Sequence, residues 1–348
     1  MDRKIKLLIV GSSQGVYGGI EAFMMAIAEA AMSWQEFEVK LCYKLVKGYD
    51  ANDNLISMAK KACPSLSIVS RGSKELINLI SWADVVHAQN TPVDIVFPAY
   101  LMRKKLFLTV HNRKIPESGG FKNGIWAFTM KLAHKRWFNS NFVWNTWEPK
   151  KKLTNSSCIP TVCKLPSQEF APESRTGFLF MGRWIKNKGI EEILYAYAKS
   201  DFNKEKWPLT ILGSGPIKEK IMALVVNLNL DSVIFPGFVD DHEKEKLIGT
   251  AKWLLAPANT QEDLGLTPIE ARSVGVPSIV TRDGGLPESA GPSALLCNPG
   301  DIDDLALRML QAVTMSEKEY AQRSIEGKAA LTEFLKPIQF YREQFAAN

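Results

Sequence analysis

The sequence predicts an α/β protein made of two doubly wound, mostly parallel sheets. Three observations predict it. Short apolar runs rich in Val and Ile alternate with helix-length segments almost throughout. Those runs are near-continuous in apolar character, as strands covered on both faces are. The alternation also loosens once, in a proline-bearing stretch, and then begins afresh. A chain of 348 residues, 46% of them apolar, holds material for two ordinary cores.

The first series reads as strands at 5–10, 37–43, 84–87 and 106–110, with a helix at 20–32 and helix-length segments before the last two strands. Between about 150 and 176 the pattern loosens around Asn155-Ser156-Ser157, Pro160, Pro166 and Pro172, the composition of an inter-domain region. The second series has strands at 177–181, 209–212, 233–235, 252–256, 277–280 and 294–296. Its helices fall at 189–199, 217–227, 301–313 and 316–330. The division expected is therefore 1–168 and 169–330, with the amphipathic tail 331–348, interrupted by Pro337, returning to the first domain. Open α/β sheets bind ligands outside the carboxyl ends of their strands, so the strand-to-helix turns are where chemistry is sought.

Charge is unevenly distributed. Residues 1–170 hold 23 Lys+Arg against 13 Asp+Glu, a net +10, and since the whole chain is +6 the remainder is −4. A basic first half suits a phosphorylated substrate or an anionic membrane surface. No zinc knuckle, basic zipper or paired aromatic strand points to nucleic acid. Arg103-Lys104-Lys105 and Lys150-Lys151-Lys152 flank a stretch, 121–138, that reads as one helix. Trp126, Met130, Ala133 and Trp137 fall on one stripe, with Lys131, Lys135 and Arg136 off it. Such a helix suits a membrane surface and equally a core with a solvated basic face. No run approaches the roughly 20 apolar residues of a membrane span. Met1-Asp2-Arg3-Lys4 leads straight into a strand-like run, unlike a signal peptide, so a cytoplasmic location is expected. Five cysteines, Cys158 and Cys163 among them, fit no zinc spacing and read as free thiols.

Three turns carry the chemistry. The first, Gly11-Ser12-Ser13-Gln14-Gly15-Val16-Tyr17-Gly18-Gly19, precedes a helix whose N-terminus suits an anion; it also reads as a plain tight turn. Its spacing is not the dinucleotide GxGxxG. Gly11 to Gly15 does match GxSxG, but after the first strand rather than later, so a hydrolase elbow is set aside. The second turn, 180–189, carries Arg183 and Lys188, a fork and a point charge that together suit a diphosphate. The third runs from Glu262 through Asp263-Leu264-Gly265-Leu266-Thr267-Pro268-Ile269 to Glu270. Thr267 as N-cap, Pro268 at the first helical position and Glu270 at the third would make a capping box, giving Glu270 a structural reading. The same turn would gather the N–H groups of Gly265, Leu266 and Thr267 at one point.

The pair Glu262/Glu270, spaced E-x7-E, resembles the signature of retaining GT-B glycosyltransferases of the family 4 type (glycosyltransferase group 1). So do, in the expected order, Gly18-Gly19-Ile20-Glu21, Val85-Val86-His87, Leu108-Thr109-Val110-His111-Asn112 and Gly182-Arg183 with Lys188-Gly189. Ile211-Leu212-Gly213-Ser214-Gly215-Pro216 and Phe235-Pro236-Gly237-Phe238-Val239 complete the series, which covers nearly the whole chain. The resemblance implies two Rossmann-like domains facing a cleft, the first for the acceptor and the second for the donor. It implies that Arg183 and Lys188 bind the donor diphosphate, that Glu270 binds the ribose hydroxyls and that Glu262 contacts the transferred sugar. Gly265, Leu266 and Thr267 would meet sugar and phosphate, Phe238 and Val239 the base, Gly19, Gly182 and Gly213 the donor's path. His111 would face the reacting centre, unless it is simply a satisfied histidine at a strand end. An Asn-Gly-Val-Asp-like turn, usual before the inter-domain crossing, is not matched by Ile159-Pro160-Thr161-Val162-Cys163-Lys164.

The activity implied is transfer of a sugar, with retention, from a nucleotide diphosphate sugar to a lipid-linked or polysaccharide acceptor. UDP-sugars are the first expectation and GDP-sugars the second. No cofactor or metal is called for: Asp301-Ile302-Asp303 resembles a metal-binding DxD but follows Pro299-Gly300 and reads as an N-cap. The alternatives are an epimerase or phosphorylase of the same fold, or a sugar-nucleotide-binding protein without activity. Tyr195 and Lys199 match YxxxK, but outside a dinucleotide domain, so a dehydrogenase is disfavoured.

Overall fold

Runs such as Leu7-Leu8-Ile9-Val10 and Trp253-Leu254-Leu255 bury apolar side chains on both faces, which only a central parallel strand between helical layers satisfies. The computed structural model describes residues 3–116, 119–161, 164–167, 170–237 and 239–347. The chain divides into two units, Met1–Lys164 with Leu335–Asn348, and Leu165–Phe334.

In the first unit the order is β1 (Ile5–Ser13), α1 (Gly19–Met32), β2 (Phe37–Leu45), α2 (Asp53–Ala62), β3 (Leu66–Ser70), α3 (Lys74–Trp82), β4 (Val85–Gln89), α4 (Val93–Leu101), β5 (Lys105–Val110), α5 (Gly120–Lys131), β6 (Lys135–Phe138), α6 (Asn141–Trp147) and β7 (Ser156–Cys158). The second has β8 (Thr176–Met181), α7 (Ile190–Lys199), β9 (Leu209–Leu212), α8 (Lys218–Asn227), β10 (Val233–Ile234), α9 (Asp241–Thr250), β11 (Ala251–Ala256), α10 (Leu266–Ser273), β12 (Ser278–Thr281), α11 (Leu286–Ala290), β13 (Leu295–Cys297), α12 (Ile302–Thr314) and α13 (Glu317–Phe334). The last helix, α14 (Ile338–Ala346), belongs to the first unit, where Tyr341 and Phe345 enter the core beside Phe23, Phe107 and Trp137.

Both sheets are parallel and share one order. The first runs β3-β2-β1-β4-β5-β6-β7 and the second β10-β9-β8-β11-β12-β13. Each therefore reverses direction once, between β1 and β4 and between β8 and β11, and such switch points open crevices at the strand ends.

Two expectations about elements are corrected. Residues 121–138 are not one helix: α5 stops at Lys131 and the chain re-enters the sheet as β6. Trp137, placed on the helical stripe, is a buried strand residue stacked on Phe107. Arg136, placed on the solvated face, is also buried, and donates to the Met130 carbonyl and to Ser156 Oγ. The reason is β6's brevity: four residues do not break a helical spacing that sequence alone reads through. Ser156-Ser157, read as part of the inter-domain stretch, form edge strand β7 of the first sheet. Among the described residues, Cys42, Cys63, Cys158 and Cys297 are free thiols, and Cys163 lies outside them. Also among them, no helix is long and apolar enough to cross a membrane.

Candidate functional site

The second unit's switch point gathers most of the sequence-predicted residues. Arg183 follows β8, Glu262 follows β11, and two loops bind each other to bring their neighbours together. Gly189 sits in left-handed conformation (φ +79°) so tightly on the next loop that a Cβ would lie 2.1 Å from the Pro257 carbonyl oxygen. Asn259 N–H donates to the Asn187 carbonyl (3.2 Å), and Asn187 Nδ2 donates to Thr260 Oγ1 (3.1 Å). Across this seam Lys188 Nζ donates to Glu262 Oε1 at 2.6 Å, both side chains part-buried. Arg183 is exposed, and its guanidinium has no partner among the described residues. The next turn closes in behind it. Gly213 (φ +122°) and Gly215 lie where a Cβ would strike the Gly182 oxygen and the Trp184 backbone, and Trp184 N–H donates to the Ser214 carbonyl.

Glu270 lies on α10, 5% exposed, and accepts from Lys244 Nζ of α9 at 2.9 Å. The capping box is corrected here. Gly265 (φ +92°) is the N-cap, so α10 begins at Leu266 and Glu270 comes more than a turn in, beyond reach of the cap. A glycine able to adopt positive φ starts the helix two residues before the Thr-x-x-Glu pattern suggests. The first-turn N–H groups of Leu266 and Thr267 have no intrahelical partner, as at any helix start, and no side chain caps α10. Arg272, buried deeper on the same helix, ties it down through the Ser289 and Gly327 carbonyls; burial lowers its pKa to about 10, still a cation at neutral pH.

Asp283-Gly284-Gly285, after β12, was not singled out in the sequence. Gly285 N–H donates to the Glu262 carbonyl (2.7 Å), and a Cβ on Gly284 (φ +64°) would lie 2.4 Å from the same oxygen. These glycines clasp the backbone that presents Glu262. A glycine pair three residues after a strand was the signal available. Val239 is half-buried against the cluster of Leu212, Ile248, Leu254 and Ala271, and Phe238 lies outside the described residues. Asp301 caps α12, its carboxylate accepting from Asp304 N–H at 2.9 Å, and Asp303 pairs with Lys199.

His111 and Gly19 belong to the first unit. Gly19 opens α1, with Gly18 as its N-cap in extended conformation. His111 follows β5, is buried, and places Nε2 2.9 Å from Gln89 Oε1, with Phe23 edge-on to its ring. Burial lowers its pKa to about 3, so the ring is neutral at physiological pH. A neutral His111 ring can still accept or donate a hydrogen bond through Nε2. Ser13, of the set-aside elbow, is a buried strand residue whose Oγ accepts from Gly15 N–H.

Residues 164–329 match the sequence family of glycosyl transferases group 1. This stretch, just under half of the chain, is similar to that family. Among curated relatives, N-acetyl-alpha-D-glucosaminyl L-malate synthase of Bacillus anthracis is 31% identical over 160 residues, 45% of this chain and 40% of that protein. A putative colanic acid biosynthesis glycosyltransferase, WcaL of Salmonella typhimurium, is 28% identical over 149 residues, 40% of this chain and 37% of that protein. The chain thus spans about two-fifths of the length of the relatives it matches. HepE of Anabaena, solved with UDP and glucose, superposes with a TM-score of 0.79 at 15% identity, covering 98% of both chains. The common fold is GT-B, and the matched stretch falls in its second Rossmann-like unit.

Proposed function

We propose that the chain transfers a sugar from a nucleotide diphosphate sugar, a UDP-sugar in the first instance, to an acceptor hydroxyl with retention at the anomeric carbon. The observation that carries this reading is the Lys188–Glu262 pair at 2.6 Å, set at the switch point with Arg183, the α10 N-terminus and buried Glu270 around it. Charge develops on the leaving diphosphate, and preorganised cations and helix N–H groups there are each worth about 10²–10³ in rate. Glu262 holds Lys188 in place until the donor arrives and then meets the sugar. Glu270 takes the ribose hydroxyls. The C1–O bond to the diphosphate breaks as the acceptor oxygen bonds C1 on the same face, and the acceptor's proton passes to a departing phosphate oxygen. Arg183 and Lys188 supply the positive charge, so the reaction is proposed to run without a metal ion.

The UDP-sugar reading is supported by HepE, which shares the fold and is solved with UDP-glucose. The WcaL relative, named for colanic acid biosynthesis, supports a polysaccharide or glycolipid product. The acceptor is proposed to be lipid-linked or a growing polysaccharide, at the cytoplasmic face of a membrane. A thermal-shift screen of nucleotide sugars identifies the donor. NMR of the first sugar anomer released in slow donor hydrolysis then tests the stereochemistry. Retention is expected, and an inverted anomer overturns the mechanism.

A further inference from the structure

The stripe that suits either a membrane or the core is mostly buried, but its opposite face is not. On α5, Asn123, Thr129 and Met130 point inward, while Phe121 (84% exposed) and Phe128 (52%), two turns apart, share the outer face with Lys131. On the neighbouring α4, Phe97 packs its ring 6.1 Å from that of Phe128, and one turn later Tyr100 (52%) and Leu101 (77%) stand in solvent. Two adjacent helices thus present one apolar ridge. Isolated exposed apolar residues are ordinary, but a contiguous aromatic set marks an interaction surface.

The charge around the ridge says what it meets. Between Asp94 and Glu148 the sequence holds nine Lys and Arg, of which Arg136 is buried, and a single acidic residue, Glu117. Arg103, Lys122 and Lys131 are exposed beside the ridge, with Lys122 Nζ 5.8 Å from the centroid of the Trp126 ring. Aromatic and aliphatic side chains rimmed by cations and nearly free of acids match the boundary of an anionic bilayer, where rings enter the headgroup layer and cations meet lipid phosphates.

We propose that the outer face of α4 and α5, centred on Phe121, Phe128, Tyr100 and Leu101, seats the first unit on an anionic membrane surface. This proposal rests on the first unit's own surface and needs no turnover, so it stands or falls separately from the donor reading.

The test is co-sedimentation of the full chain with vesicles of phosphatidylglycerol and phosphatidylcholine, beside vesicles of phosphatidylcholine alone. Binding to the anionic vesicles is expected, weakening with salt. Phe121→Asp with Leu101→Asp should lower the partition coefficient at least tenfold while far-UV circular dichroism and melting stay as in the parent, since neither side chain is buried. Lys122→Glu and Lys131→Glu should each lower it about fivefold or more. No binding to anionic vesicles at low salt overturns the proposal. So does binding that the Phe121/Leu101 variant leaves unchanged, which puts the contact elsewhere. A dimer in solution that the same variant dissolves also overturns it, assigning the ridge to a second copy.

Discussion

At the end of β5 in the first sheet, His111 meets Gln89 behind Phe23 with no charge between them. At the ends of β8 and β11 in the second, Lys188 meets Glu262, and Lys244 of α9 meets Glu270. The two sheets have the same strand order, so topology does not separate them. What differs is the material at the strand ends. The first unit closes its edge with aromatic rings: Phe23, Trp137, Tyr341 and Phe345 surround His87, and burial holds His87 and His111 at a pKa of about 3. The second builds its edge from ion pairs and glycine-tight loops. The first sheet does carry an ion pair, Lys44 of β2 with Asp94 of α4 at 2.6 Å, so the contrast is between the surroundings of His111 and those of Glu262, and the proposed donor site lies with the second.

The comparison is broken most strongly through α14. Phe345 is buried among Phe107, Trp137 and His87, so Phe345→Ala should cost about 3–5 kcal/mol. Domain-resolved hydrogen exchange should show the loss in the first unit only; equal loss in both would mean that they unfold as one. Next, Lys188→Ala and Glu262→Gln should each lower kcat/KM by about 10²–10³, with the double variant scarcely worse than either, because the residues act as a pair. Additive losses would separate their roles.

A pH titration of stability sharpens the contrast. The folded pKa of each buried histidine is depressed from 6.5 to about 3, so the unfolded state binds the proton more readily. Their contribution is therefore complete above pH 6.5 and is lost as pH falls toward 3, by on the order of 1 kcal/mol per pH unit for each ring. Urea unfolding between pH 7 and 4 should show this slope in the first unit, and His87→Gln should reduce it by about half. A smaller effect is expected of Lys244, a positioning residue for Glu270. Lys244→Ala should raise the donor KM about fivefold with kcat little changed, as loss of a charge-assisted hydrogen bond at a part-exposed site would, and Lys244→Arg should restore it.

Much of this was legible in the sequence, for identifiable reasons. Central strands such as Leu7 to Val10 are buried on both faces and announce themselves. Arg183, Lys188 and Glu262 sit where strands end, and the loops that join them carry the glycines seen in the sequence. What was not legible depended on conformation rather than residue type. Gly265 at φ +92° moved the start of α10 and removed the capping role from Glu270. Four residues of β6 lie within a helical spacing and were read through. The clasp of Gly284 and Gly285 on Glu262 joins the loop after β12 to the one after β11, and no local pattern reports such a contact.

Glu270 does not cap α10, and its carboxylate pairs with Lys244; its proposed part is to bind the donor nucleotide. Calorimetric titration of UDP into the parent and into Glu270→Ala tests this most directly. The account predicts measurable UDP affinity in the parent and at least tenfold weaker binding in the variant, with folding unchanged. Equal affinity in the two proteins would contradict it and move the nucleotide away from the β8–β11 switch point.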